Sequence, residues 1–133
     1  MSQMTWTTAQ QAAIDARGQN LLLSAAAGSG KTAVLTERIK KLITDMDDPA
    51  DITELLVLTF TRASAGEMKT RISSGIAKAL SEAEQEQNTP LARHLSRQLA
   101  LMSSAQISTL DSFFQTLIRR YFYLIDLDPN TKM

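Results

Sequence analysis

An α/β fold, with helices flanking a parallel sheet, is what this sequence predicts, on three observations. The glycine-containing run Ser24-Ala25-Ala26-Ala27-Gly28-Ser29-Gly30-Lys31-Thr32 joins an apolar stretch to a helical one. Short apolar runs alternate along the chain with segments whose apolar residues recur every three or four positions. One such run, Leu55-Leu56-Val57-Leu58, lacks polar alternation, as expected of a strand covered on both faces. Strands that alternate with helices pair in parallel through right-handed crossovers.

Taken in order, Asn20 to Ala25 is expected as a buried strand and the glycine run as the turn after it. Leu35, Ile39, Leu42 and Met46 then mark a helix that Asp47-Asp48-Pro49 ends. Ile52 to Thr59 is the second expected strand, and Ala65, Met68, Ile72, Ile76 and Leu80 form the stripe of a second helix. Ser81 to Pro90, with Glu82, Glu84 and Glu86, is expected as a solvated helix end and loop. Leu91, Leu95, Leu99 and Met102 mark a third helix, and Gln106 to Thr109 a short third strand. From Phe113 to Ile125 runs a helix apolar at Phe113, Phe114, Leu117, Ile118, Tyr121, Phe122 and Ile125, a stripe wide enough to need burial on more than one side. Asp128-Pro129-Asn130 stops it. Trp6 is expected as a packing anchor, and His94, between Arg93 and Arg97 on the polar side of its helix, as a surface residue.

Composition narrows the function. A chain of 133 residues, 44% hydrophobic and 21% charged, suits one folded domain rather than a disordered segment. Formal net charge is zero, so attraction to nucleic acid or membrane must come from local patches. With no cysteine, disulfides and thiolate metal sites are excluded. Met1-Ser2-Gln3-Met4-Thr5-Trp6 has neither the basic start nor the apolar core of a signal peptide, and no apolar run approaches a membrane span. A cytoplasmic protein without a membrane partner is expected.

The glycine run has the chemistry of a phosphate-binding loop. Gly28 and Gly30 permit backbone conformations closed to bulkier residues, so successive N–H groups can converge on phosphate oxygens. Lys31 is placed for the β- and γ-phosphates and the Thr32 hydroxyl for Mg²⁺. Ala25 stands where the strict pattern has its first glycine. Hydrolysis normally also needs a carboxylate at the end of a neighbouring strand. The second strand ends Leu58-Thr59-Phe60-Thr61 without one, and the third offers Asp111, which with Ser112 also suits a helix N-cap. The catalytic set is therefore incomplete. Thr59 to Lys69 gathers hydroxyls, Phe60 and cations at the carboxyl edge of the sheet, suited to a nucleic-acid backbone and a stacked base. A helix N-terminus with a buried Phe accounts for the same residues.

Four motifs in order carry a family resemblance. Trp6 to Gln10 with Ala12-Ala13-Ile14, followed by Ala26 to Thr32, resembles the Q motif and Walker A of the UvrD/RecB-like superfamily 1 helicases. Thr59 to Ile72 resembles their motif Ia, and Ile107 to Phe113 their motif Ib. The segment Arg119 to Pro129 is most similar to the AddA/RexA branch of helicase–nucleases. The resemblance implies a P-loop NTPase (RecA-like) fold, with residues 1–133 as the N-terminal part of the first motor domain. The Walker B acids, arginine finger, second motor domain and nuclease domain would belong to a longer parent. It implies ATP and Mg²⁺ as cofactors, and single- or double-stranded DNA as substrate. It also implies partnership with an AddB/RexB-type second subunit, in double-strand break repair and recombination. Gln10 would contact adenine, and Ala25, Ala26, Ala27, Gly28, Ser29, Gly30, Lys31 and Thr32 the phosphates and Mg²⁺. Phe60, Thr61, Arg62 and Ser64 would lie along DNA, with Thr109 and Ser112 near it. Arg62 stands where the family often has Asn, and Asp111 where it often has His. Two alternatives remain at this point: a small self-contained P-loop NTPase or kinase, and a non-catalytic nucleotide-binding interaction module.

Overall fold

The computed structural model describes residues 5–24 and 30–125. Its elements are α1 (Thr8–Asp15), α2 (Lys31–Thr44), β1 (Leu56–Thr59), α3 (Arg62–Gln85), α4 (Thr89–Leu101), β2 (Gln106–Thr109) and α5 (Leu110–Ile125), with 3₁₀ turns at Ile52–Glu54 and Met102–Ser104. Among the described residues the sheet has two strands, β1 and β2, paired in parallel with Leu56 opposite Gln106 and Thr59 opposite Thr109. The expected mixed α/β architecture with a parallel sheet and flanking helices is present.

The expected strand at Asn20 to Ala25 is not: Asn20–Ser24 form no ladder, and Ala25 lies outside the described residues. An apolar run becomes a strand only where its backbone groups find a partner. Here Leu23 packs onto Ala13, Ile14 and Val34, whereas Leu22 is 91% exposed. The second strand starts four residues later than expected. Asp51 accepts hydrogen bonds from Thr53 N and Thr53 Oγ1, and Asp51 N donates to Glu54 Oε2, so Ile52–Glu54 coil into a 3₁₀ turn.

One core joins α2, α3 and α4 beneath β1. Ile43, Ile76 and Leu95 are fully buried in it, beside Ile39, Ile72, Met68 and Val57. Burying each such side chain is worth roughly 1.5–3 kcal/mol. The Thr36 hydroxyl lies 3.5 Å from the Met68 sulfur, and the Lys40 side chain is 3.4 Å from where a Cβ on Gly75 would stand. These contacts advance in the same direction on both helices, so α2 and α3 run parallel with their N-termini at one end.

Helices α3 and α4 form a hairpin, and the acidic segment is more helical than expected: α3 continues to Gln85 and only Glu86–Asn88 turn the chain. Gln87, at φ 57°, occupies the left-handed position usually held by glycine. Gln87 N donates to Glu84 O at 3.1 Å and Asn88 N to Ala83 O at 2.8 Å, closing the last turn. Asn88 then caps α4, whose second residue is Pro90.

His94 is not a free surface residue. Its Nε2 lies 2.9 Å from the Ile43 carbonyl oxygen, one of the four carbonyls that the end of α2 leaves without an intrahelical donor. Trp6 does pack as an anchor, against the small cluster of Ala13, Ile14 and Val34. Helix α5 follows β2 directly and touches both strands, but its wide apolar stripe is not covered on a second side among the described residues: Phe114, Leu117 and Tyr121 are exposed. Its expected stop at Asp128-Pro129-Asn130 lies outside the described residues.

Candidate nucleotide site and nucleic-acid edge

Helix α1, which the periodicity did not announce, begins with a reciprocal cap. Thr7 Oγ1 accepts from Gln10 N at 3.2 Å, and Thr7 N donates to Gln10 Oε1 at 2.9 Å. The signal was in the sequence as Thr-x-x-Gln before Ala13-Ile14. At its other end α1 is clamped to α2. Arg38 donates to the carbonyls of Ala13 and Ala16, Lys41 pairs with Asp15, and Arg17 pairs with Asp45 at 3.0 Å and Asp48 at 3.4 Å. The Lys41 ammonium, with help from the Gln11 amide, holds the Asp15 carboxyl below the ordinary carboxylate range.

Helix α2 opens on Gly30, at φ 90° and ψ 18°, a left-handed conformation that glycine adopts without the clash a Cβ would cause. Among the described residues no side chain caps the helix start. The N–H groups of its first turn, with the positive end of the helix dipole, face a position suited to an anion. Lys31 and Thr32 begin the helix and are exposed. A Cβ on Gly30 would stand 3.7 Å from Gln10 Nε2, so the amide lies against the end of the glycine run. Of the nucleotide residues expected from sequence, the structure thus gathers Gln10, Gly30, Lys31 and Thr32; Ala25, Ala26, Ala27, Gly28 and Ser29 lie outside the described residues. An open cleft of about 400 Å³ reaches Lys31 between α2 and residues 19–23, but apolar Leu21, Leu23, Val34 and Leu35 dominate its walls and Gln10 is not among them.

At the carboxyl edge of the sheet the two strands end in the same way. Thr61 caps α3, accepting from Ser64 N at 3.0 Å and donating to Ser64 Oγ at 2.8 Å. Thr109 caps α5, accepting from Ser112 N at 3.1 Å and donating to Ser112 Oγ at 2.9 Å. The pairing of Thr59 with Thr109 sets both caps on one edge. Asp111 therefore is not the cap of α5, because the helix starts at Leu110 and Thr109 already fills that role; Asp111 sits exposed in the first turn. Phe60 is 91% exposed, which removes the reading of a buried Phe at this helix start. Arg62 is exposed on the first turn of α3, whereas Thr109 is buried with its hydroxyl engaged. Among the described residues no group of three or more His, Asp or Glu is arranged to hold a metal ion.

A family model described as the UvrD/REP helicase N-terminal domain matches residues 6–133. This chain belongs to that family. The ATP-dependent helicase/nuclease A-subunit of Clostridium novyi is 53% identical to it over 133 residues, all of this chain and 10% of the relative. The protein of that name from Desulforamulus reducens is 50% identical over the same span and share. The one from Bacillus licheniformis is 54% identical over 94% of this chain and 10% of its own length. The chain thus spans about a tenth of the length of these relatives. Among the described residues no helix is long and apolar enough to cross a membrane.

Proposed function

We propose that this chain is the ATP-binding segment of the first RecA-like motor domain of an AddA/RexA-type DNA helicase–nuclease, residues 1–133 forming the N-terminal part of that domain. The observation that carries the reading is the meeting of Gln10 with the glycine-started N-terminus of α2. An amide there suits the edge of a base, and free N–H groups beside Lys31 suit phosphate oxygens. Thr32 would hold Mg²⁺, which supplies charge neutralisation at the β- and γ-phosphates. Gly28 and Gly30 would shape the loop, with Ala25, Ala26, Ala27 and Ser29 completing its backbone. Because α2 and α3 run parallel, their starts lie at one end of the domain, so the nucleotide site neighbours the edge that carries Phe60, Thr61, Arg62 and Ser64. Single-stranded DNA would lie along that edge, Phe60 stacking on a base and Arg62 meeting a phosphate. Thr109 at the end of β2 and Ser112 in the first turn of α5 would support it.

In the longer protein, closure over ATP of a cleft between the two motor domains would step the motor along DNA during double-strand break repair and recombination, in the cytoplasm, with an AddB/RexB-type second subunit. We assign no carboxylate to turnover: Asp111, exposed in the first turn of α5, is a candidate by position alone. Titration with ATP and Mg²⁺, with and without single-stranded DNA, tests this: weak binding lost in Lys31→Ala and negligible hydrolysis are expected. Hydrolysis by the chain itself, abolished by Lys31→Ala, would instead indicate a self-contained NTPase.

A further inference from the structure

We propose that Thr7 is a positioning residue for base selection, acting through the orientation it imposes on the Gln10 amide; this rests on the reading of Gln10 as the base contact. A side-chain amide can rotate by half a turn and exchange its oxygen with its nitrogen, which alters what it recognises. Here one of the two orientations is favoured. Gln10 Oε1 accepts the Thr7 N–H at 2.9 Å, and the flipped amide would set its own NH₂ against that donor. The Thr7 hydroxyl closes the box by accepting Gln10 N at 3.2 Å, which holds the Thr7 backbone at φ −68° and ψ 163°, where its N–H meets Oε1. Nε2 is thereby turned toward Gly30, 3.7 Å from its Cβ position.

The fixed amide offers a donor at Nε2 and, on the second lone pair of Oε1, an acceptor beside it. That order matches the adenine edge, where N7 accepts and N6 donates, and mismatches guanine, where both N7 and O6 accept. A freely flipping amide spends part of its time with Oε1 facing N7 and Nε2 facing N6, which mismatches adenine twice. Guanine meets one match and one mismatch in either orientation, so loss of the fixed order falls on adenine. Thr7 would thus set the ratio of ATP to GTP affinity and leave phosphate binding to the glycine run and Lys31.

The test is titration of the full chain with fluorescent N-methylanthraniloyl ATP and GTP in Mg²⁺, following the ratio of the two affinities. Thr7→Val, and Thr7→Gly as a variant that helix N-caps tolerate well, should lower the ATP preference about two- to tenfold, the range of one well-placed hydrogen bond. Thr7→Ser should retain it, and Thr7→Val added to Gln10→Ala should change nothing further. A preference that survives both Thr7→Val and Thr7→Gly but falls in Gln10→Ala overturns the role of Thr7 and leaves Gln10 as the base contact. Equal weakening of both nucleotides in the Thr7 variants also overturns it, since a merely structural cap would act that way. A preference unchanged in Gln10→Ala, or no nucleotide binding by the parent chain, removes the reading of Gln10 and this proposal together.

Discussion

Gln98, fully buried on α4, accepts a 2.7 Å hydrogen bond from the backbone N–H of Ile52 through its Oε1. The amide bridges the helical hairpin to the 3₁₀ turn that precedes β1, so a polar residue in the apolar interior sets where the strand begins. Gln98→Leu would preserve much of the volume but strand the Ile52 N–H away from water. The expected loss is about 1–3 kcal/mol of unfolding free energy, read by urea denaturation. Gln98→Leu melting at the parental denaturant concentration would mean that Ile52 finds another acceptor.

Gln87 holds a left-handed backbone that costs a side-chain-bearing residue about 1–2 kcal/mol. Gln87→Gly should therefore stabilise the α3–α4 hairpin, by roughly 0.5–1 kcal/mol once the greater freedom of glycine in the unfolded chain is deducted. A thermal melt shows it as a higher midpoint; a lower one would mean that the Gln87 side chain contributes more than its backbone costs.

Asp51 carries a pH dependence of known sign. Hydrogen bonds from the Thr53 hydroxyl and backbone, and then from Gln98 with the charge of Arg97, outweigh partial burial and hold its carboxyl below the unfolded value of 3.8. The folded state thus binds the proton less readily. Its contribution is fully present above the unfolded value and is lost as pH falls through the lower, folded one. Asp15 adds a contribution of the same sign through Lys41. Asp51→Asn keeps an oxygen for the cap but does not titrate, so its midpoint should fall less steeply than the parent's below about pH 4. Parallel acid limbs for the two proteins would refute the assignment.

The proposed DNA edge separates stacking from charge. Phe60→Ala should weaken single-stranded DNA binding by about 1–3 kcal/mol with little change in salt dependence. Arg62→Ala should instead flatten the plot of log affinity against log salt by about 0.7. Fluorescence anisotropy of a labelled oligonucleotide over a salt series distinguishes the two. If neither variant changes binding, DNA does not follow this edge.

Much of this layout was legible from spacing. The stripes of α2, α3 and α4 name the residues that fill the core, Ile39, Ile72, Ile76 and Leu95 among them, because a helix must bury one face. Gln106 to Thr109 was legible to the residue. What escaped was local capping chemistry. Asp51 and Glu54 wind what hydropathy presents as strand, Thr109 takes the cap that Asp111-Ser112 suggested, and Thr7 with Gln10 starts a helix with only a short apolar face. Pairing was equally beyond pattern: Leu21-Leu22-Leu23 is as apolar as a strand, yet strand formation depends on a neighbour elsewhere in the chain. At the site, residue chemistry singled out Lys31, Thr32 and Phe60, but the approach of Gln10 to Gly30 follows from how α1 lies on α2 and no periodicity encodes it.

The clamp of Arg17, Arg38 and Lys41 gives α1 and α2 the mechanics of a clothes-peg. Its spring is the cluster of charges where both helices end, and its jaws are Gln10 and the glycine-led start of α2. The two jaws would grip opposite ends of one molecule, base on one side and triphosphate on the other. The approach of Gln10 to Gly30 is therefore set at the spring, by side chains at the far end of both helices.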